Sequence, residues 1–349
     1  MRSTSVTIPT LVRIKPGALD RLGVYAQRNQ FQKVVLLYNK ELDRSLIERV
    51  EKVMAERSIA VLMHVEVQES SFEHAQEIFQ SLPQPTDALI GFGGGKALDV
   101  AKYVAFLSRL PYIAVPTALS NDGFCSPQSS LEFKGKRRTF PATMPYGVVI
   151  DSEICLNAPH KLWLAGIGDL VAKITAVYDW KLAFKTKGTQ VDDFAALLSD
   201  ATVFQLMAKP EHDLEGIRLL GTALMLNGIA MEICGSSRPA SGSEHLISHA
   251  LDLTSRKPRL HGLQVGLASY IVSQLQGGRE TERIARLFDA IGFWETFKGD
   301  PLNRQEWITA FKLAPTVKAD FYSILSTRDM IEEYIWIVDN DSRLKGLFT

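Results

Sequence analysis

The sequence predicts an α/β domain with a mainly parallel sheet in its first half and an all-helical domain in its second. Three observations carry this. Strand and helix patterns alternate up to about residue 150, strand signals disappear from about Leu156 onward, and two consecutive buried strands each run directly into a glycine-rich or polar turn.

Residues 10 to 15 read as a short strand, and a helix is expected from about Leu19, after Pro16-Gly17. Val34 to Tyr38 is a continuous apolar run of the buried-strand kind, and Leu42 to Ala55 has helical periodicity. The pattern repeats with a strand over Ala60 to Val67, a helix over Ser71 to Leu82 and a strand over Ala88 to Phe92. A helix over Ala97 to Leu107 and a strand over Tyr112 to Val115 follow. Residues 131 to 150 suggest a hairpin, with Lys134, Lys136, Arg137 and Arg138 on a solvated face, leading to a last strand at Val148 to Ile150. Helical patterns then occupy 160 to 186, 192 to 207, 211 to 234, 241 to 252, 261 to 276 and 281 to 292. The spacing of Trp307 and Trp336 suits core positions. The change of class divides the chain into domains 1–155 and 156–349, with a ligand cleft expected between them.

Composition narrows the function. The 39 basic and 39 acidic residues balance, and no long basic run appears, so neither nucleic acid nor an anionic membrane is an expected partner. Cys125, Cys155 and Cys234 are too far apart for a disulfide framework or a thiolate zinc site, and they fit a reducing compartment. The N-terminus has no apolar signal core, and charge or proline interrupts every long apolar run, so a cytoplasmic protein without a membrane span is expected.

Ligands of parallel sheets collect at the carboxyl ends of the strands. Gly93-Gly94-Gly95-Lys96 lies at one such end. Its glycines let the backbone approach an anion, and the helix beginning near Ala97 offers free N–H groups. The cluster fits neither Gly-x-Gly-x-x-Gly, since position 96 is Lys, nor the P-loop, since Ala97 follows that Lys. Pro116-Thr117-Ala118-Leu119-Ser120-Asn121-Asp122-Gly123 ends the next strand, with groups suited to ribose, amide or substrate hydroxyls. Either loop would also serve as a plain turn.

His245, His249 and His261 fall in one short window. The first two are four residues apart on one helical face, and His261 starts a further helix after Lys257-Pro258-Arg259. Such a pair is either two half-buried imidazoles or part of a metal site. Asp169, expected in the first turn of a helix opened by Ala165-Gly166-Ile167-Gly168, is a candidate carboxylate, although capping would also account for it. One Asp with two or three His supplies three ligands and an open position for Zn²⁺ or Fe²⁺.

Gly-Gly-Gly-Lys-x-x-Asp-x-Ala-Lys at 93–102, Pro-Thr-Ala-x-Ser-x-Asp-Gly at 116–123, Ala-Gly-Ile-Gly-Asp at 165–169, and Ser-Ser-Arg-Pro-Ala-Ser-Gly-Ser-Glu-His-x-x-Ser-His at 236–249 with Leu-His-Gly at 260–262 resemble the sn-glycerol-1-phosphate dehydrogenases. That family lies among the iron-containing alcohol dehydrogenases, glycerol dehydrogenases and dehydroquinate synthases. The resemblance implies a dinucleotide-binding α/β domain, a helical metal domain and reversible hydride transfer between dihydroxyacetone phosphate and sn-glycerol 1-phosphate. It implies that Gly93, Gly94, Gly95, Lys96 and Ala97 hold the pyrophosphate of NAD or NADP. Thr117, Ala118, Leu119, Ser120 and Ser126 would line the nicotinamide side. Asp122 and His249 would contact substrate, with Asp169 also near it. Asp169, His245 and His261 would bind one divalent metal, zinc being expected, with nickel or iron in relatives. A homo-oligomer acting on a small-molecule substrate is implied.

Asn39 stands where an acidic residue would favour the ribose 2′-hydroxyl, so either cofactor is expected there. The chain departs from the family pattern at Leu119, Asn121 and Phe124. It also has Lys318-Ala-Asp-Phe-Tyr-Ser-Ile-Leu in place of Arg-Pro-x-Arg-Tyr-Thr-Ile-Leu, which removes two arginines suited to a substrate phosphate. Glycerol or another small polyol as substrate, or a dehydroquinate-synthase-like lyase reaction, are the competing readings.

Overall fold

The computed structural model describes residues 6–349. Its main sheet has six strands, β1 (Leu11–Lys15), β2 (Lys33–Asn39), β3 (Ala60–Val67), β4 (Ala88–Gly93), β5 (Tyr112–Pro116) and β8 (Gly147–Asp151), in the order β1-β8-β5-β4-β2-β3. All neighbours are parallel. Between β5 and β8 in the chain, β6 (Gln128–Phe133) and β7 (Lys136–Pro141) form the expected antiparallel hairpin, whose four basic side chains are exposed.

Parallel strands need crossovers, and α1 (Leu22–Arg28), α2 (Arg44–Ala55), α3 (Phe72–Ser81), α4 (Gly95–Ser108) and α5 (Ser152–Leu156) belong to this part of the chain. Strand alternation sends β2 side chains to two cores. Val34 and Leu36 join Ile90, Ile113, Leu22, Val50 and Met54, whereas Val35 and Leu37 join Leu89, Ala114, Val100 and Val104. A sheet buried on both faces explains why its central strands read as unbroken apolar runs.

The remaining helices are α6 (His160–Lys187), α7 (Asp193–Ala208), α8 (Leu214–Cys234), α9 (Ser243–Thr254), α10 (His261–Leu275), α11 (Thr281–Ile291), α12 (Glu295–Lys298), α13 (Arg304–Val317) and α14 (Ile331–Asn340). The chain forms two compact units, and their boundary differs from the expected 155/156 division. The first unit contains residues through Pro159 and also His212–Glu232, while the second contains His160–Glu211 and Ile233–Thr349. The physical reason lies in the small residues of α8. A Cβ at Gly221 would contact the Ile150, Leu119 and Ile14 side chains, and one at Gly228 would stand 1.8 Å from the Cys125 carbonyl oxygen. Periodicity labels α8 as a helix, but only this close packing shows which core it completes.

Two further expectations are corrected. Helix α8 is long and apolar enough to cross a membrane by length and composition, so charge and proline do not interrupt every such run; about half of its apolar window is buried inside the protein, as in a core helix. Trp307 is buried as expected, but Trp336 on α14 is exposed, because the packed face of that helix carries Tyr334, Ile337 and Val338.

The Gly228 contact is with backbone, which has nowhere to move. Gly228→Ala should therefore destabilise the first unit by about 1–3 kcal/mol, read as a lower urea midpoint with an unchanged slope.

Candidate active site

The second unit gathers the histidines. Asp169 is expected in the first turn of its helix, but α6 starts at His160 and runs for 28 residues, so Asp169 lies in its third turn. The helix dipole is therefore not what stabilises its charge. Gly168, its neighbour, packs where a Cβ would stand 2.1 Å from the Gly262 carbonyl oxygen, and a Cβ at Gly266 would stand 2.7 Å from the Gly168 Cα. This contact between the α6 and α10 backbones sets Asp169 beside His261, the first residue of α10.

Asp169 Oδ1 lies 3.6 Å from His245 Nε2 and 3.8 Å from His261 Nε2. These three side chains offer donor atoms that all lie within 4.8 Å of one another. His249 completes an imidazole cluster, its ring 6.3 Å from that of His245 and 5.9 Å from that of His261, but it stands outside the three-donor set. Spacing alone left two or three histidines as candidates, and the geometry selects His245 and His261.

The tautomers follow from the surroundings. Glu244 Oε1 lies 2.9 Å from His245 Nδ1, and a carboxylate only accepts, so Nδ1–H donates and Nε2 is the nitrogen that faces Asp169. Glu244 in turn accepts from Gly242 N at 2.5 Å and Thr175 Oγ1 at 2.7 Å. His261 Nδ1 lies 3.2 Å from Ser248 Oγ, which also accepts from Gln264 Nε2 at 3.0 Å.

Electrostatics favours a cation here. Burial alone would raise the Asp169 carboxyl, but the Lys173 ammonium, the hydrogen bond with His245 and the nearby imidazoles outweigh it and hold the group well below the usual carboxylate range. Burial opposes a charged His245, yet Asp169 and Glu244 prevail and raise its pKa. Burial and then His245 drive His261 well below its ordinary value, which keeps its lone pair available. One carboxylate and two imidazole nitrogens make a hard and borderline donor set for a divalent ion. Tetrahedral donors at zinc distances stand about 3.4 Å apart, so the two separations from Asp169 Oδ1 need only small adjustments.

Two buried residues that the sequence did not single out hold this arrangement. Lys173 Nζ reaches Asp169 Oδ2 at 3.4 Å and the Ala240 carbonyl at 3.3 Å. Asp179 accepts from Ser243 N and Oγ at the start of α9, from Gln276 Nε2, and from Ile324 N. Glu244, bonded to His245 and to the Gly242 N–H, is a third such group. Its signal was a carboxylate adjacent to a candidate ligand histidine.

The cofactor candidates lie in the first unit. Gly93 has φ +129°, and a Cβ there would stand 2.3 Å from Asn39 Oδ1, so glycine is required twice over. Asn39 Oδ1 accepts from Gly94 N at 2.6 Å, which leaves its Nδ2 as a donor. No side chain caps α4 after Gly94, and a Cβ at Gly95 would meet nothing within 4 Å, so the first-turn N–H groups are open to an anion. Lys96 is exposed, with Nζ 3.2 Å from the Gln68 carbonyl, and Ala97 is buried.

Thr117 N donates to Gly93 O at 3.0 Å, so the structure brings the two predicted loops together on adjacent strands. Thr117, Ala118 and Ser120 are half-buried, but Leu119 is buried and packs toward Gly221, which leaves its backbone as the part able to meet a cofactor. Asp122 opens a 3-10 turn, Asp122–Cys125, capped by Asn121 Oδ1 on Gly123 N. Ser126 is buried inside that loop. Its Oγ accepts from the fully buried Lys102, which also donates to the Gly123 carbonyl at 2.5 Å and pairs with Asp99.

The fold resembles solved alcohol and glycerol dehydrogenases. A probable glycerol dehydrogenase from Sinorhizobium meliloti matches with a TM-score of 0.75 at 19% identity, covering 95% of this chain and 96% of that one. Glycerol dehydrogenase from Schizosaccharomyces pombe matches at 0.74 and 18% identity, covering 97% and 91%. Residues 13–159 match the family described as iron-containing alcohol dehydrogenase. The architecture is thus that of the iron-containing alcohol dehydrogenase group. Glycerol-1-phosphate dehydrogenase [NAD(P)+] from Metallosphaera sedula is 35% identical over 331 residues, covering 93% of each chain. This chain belongs to the glycerol-1-phosphate dehydrogenase family.

Asp169→Ala, His245→Ala or His261→Ala should each lose metal retention and activity together, with metal content measured after dialysis; a metal-replete, active His261→Ala protein would refute the ligand set. A pH dependence follows from Asp179, whose carboxyl is raised to about 6 by burial and by Glu244. The folded chain holds this proton more tightly than the unfolded chain does. The stability it contributes is therefore fully present below about 3.9 and lost as pH rises through about 6, with a span of roughly 3 kcal/mol. Asp179→Asn should lower stability overall, since an amide cannot accept on both sides. It should also flatten the change in melting temperature between pH 5 and 7.

Proposed function

We propose that this chain is a metal-dependent, NAD(P)-linked oxidoreductase that interconverts dihydroxyacetone phosphate and sn-glycerol 1-phosphate. The observation that carries the reading is the Asp169, His245 and His261 donor set in a chain whose relatives, including those from Metallosphaera sedula and Staphylothermus marinus, are named glycerol-1-phosphate dehydrogenase [NAD(P)+]. When bound, the nicotinamide would exchange the hydride and the divalent ion would polarise the substrate C2 oxygen.

The chain's own residues bind and orient. Gly93, Gly94, Gly95, Lys96 and Ala97 would seat the cofactor pyrophosphate on the α4 N-terminus, while Thr117, Ala118, Leu119 and Ser120 offer the nicotinamide polar and backbone groups. Ser126, held by Lys102, would shape that loop from within. Asn39 presents an amide donor rather than a carboxylate, which suits NADP as well as NAD. Asp122 would hold a substrate hydroxyl, and His249, beside the ligand imidazoles, would orient another or relay a proton. Zinc is our reading of the metal, because two imidazoles and one carboxylate leave the open position that catalytic zinc uses. The three cysteines are free thiols, in keeping with the cytoplasm. We include a homo-oligomeric state in the reading.

The test is oxidation of NADH and NADPH by the zinc-loaded protein with dihydroxyacetone phosphate and, in parallel, with dihydroxyacetone. At least a tenfold higher kcat/KM for the phosphorylated substrate is expected. Equal turnover of both would make the protein a polyol dehydrogenase, and silence with both would overturn the reading in favour of a reaction without net redox change.

A further inference from the structure

The second unit pairs its deeply buried cations carefully. Lys173 lies against Asp169, and even the partly buried Arg259 pairs with Asp300. Arg238 and Lys318 are the contrast. Arg238 is buried, yet its guanidinium has no carboxylate within 4 Å among the described residues; it stacks 3.7 Å from the Phe321 ring centroid and donates to the Tyr322 carbonyl at 2.6 Å. Lys318 is an exposed residue whose ammonium turns inward, 4.4 Å from the same ring centroid and 2.8 Å from Ser237 Oγ, again with no acid partner.

Two cations on one aromatic ring repel each other, and placing them there costs free energy that a carboxylate would ordinarily offset. Asp179 is the nearby acid that favours a charged Arg238, but its oxygens already accept from Ser243, Gln276 and Ile324. Burial and the field of Arg238 accordingly push the Lys318 pKa down. The remaining guanidinium N–H groups and the ammonium form a cationic donor cluster with no carboxylate paired to it among the described residues, on a flat platform that holds both cations in place.

The cluster is tied to the metal candidates through backbone. Arg238 stands two residues before Ala240, whose carbonyl takes the Lys173 ammonium that also reaches Asp169. The Lys318 segment is fixed to the same frame, because Ile324 N and Ser243 N both donate to Asp179.

We propose that Arg238, Lys318 and Ser237 form the subsite for the substrate's terminal phosphate, with Lys318 supplying the charge that the altered 318–325 segment otherwise lacks. This deepens the substrate assignment made above and rests on it. A dianionic phosphate satisfies both cations at once, whereas a neutral hydroxymethyl group leaves them unpaired.

The experiment uses the full-length, metal-loaded protein with saturating NADH, which fills the glycine turn so that it does not compete for phosphate. Two quantities are read: the ratio of kcat/KM for dihydroxyacetone phosphate over dihydroxyacetone, and the rise in melting temperature on adding inorganic phosphate. In Lys318→Met, which keeps the stem but not the charge, the ratio should fall at least tenfold through KM, and the phosphate-induced rise should disappear. Lys318→Arg should restore most of both. If Lys318→Met and a folded Arg238→Met keep the wild-type ratio and the wild-type phosphate response, the subsite is wrong while the substrate reading stands. If the wild type ignores dihydroxyacetone phosphate but shows a phosphate response that depends on Lys318, the substrate reading falls and the anion site stands.

Discussion

The approach of α6 to α10 is the constraint on which the rest of the metal site depends. Donor atoms on two helices can share an ion only if packing brings them within a few ångströms, and here the two backbones come closer than ordinary side chains allow. Gly168, Gly262 and Gly266 remove those side chains at the point of contact, and the contact is immediately beside Asp169 and His261. A methyl group at Gly168 would meet a carbonyl oxygen, so any larger residue there would move a ligand as well as a helix. The same long helix carries Lys173, Thr175 and Asp179. One rigid element therefore places a donor, the cation beside it and the groups that hold α9.

Buried carboxylates then fix α9 without an ordinary cap. Gly242 precedes this helix and offers no side chain. Asp179 and Glu244 supply the missing acceptors, Asp179 to Ser243 and Glu244 to Gly242 and His245. Two like charges kept close and out of water are costly, which is why Asp179 holds its proton unusually well. The arrangement is worth that cost because it fixes His245 in one tautomer and one orientation. Stability and ligand geometry are therefore coupled in this unit.

Much of this was legible in the sequence for physical reasons. A sheet covered on both faces leaves continuous apolar central strands, so β2, β4, β5 and β8 stand out. The His245 and His261 candidates were visible because helical spacing and a Pro258 break put them near a turn. Assignment of α8 to the first unit was not legible, since its partners Ile14, Leu119, Cys125 and Ile150 are remote in the chain. The helical pattern over 160 to 186 matches α6, but the place of Asp169 within it is misread for a local reason: Gly166 and Gly168 look like a helix entrance, whereas Gly168 serves close packing in mid-helix. Arg238 and Lys318 were legible only singly. Their sharing of Phe321 depends on segments about eighty residues apart.

The two candidate sites also share one supporting device. On α4, Lys102 pairs with Asp99 one turn earlier and extends to the Gly123 carbonyl of the Asp122 loop. On α6, Lys173 pairs with Asp169 one turn earlier and extends to the Ala240 carbonyl of the Arg238 loop. Both lysines are fully buried. A compact ammonium on a long stem suits this task better than a planar guanidinium, because its three donors can diverge toward a carboxylate and a carbonyl at once. Removing either ammonium would leave an acid without its cation in the interior, so each loop is held by the same interaction that makes the buried acid tolerable. In α6 that acid is itself a ligand candidate, which links the placing of the phosphate subsite to the charge state of the metal site.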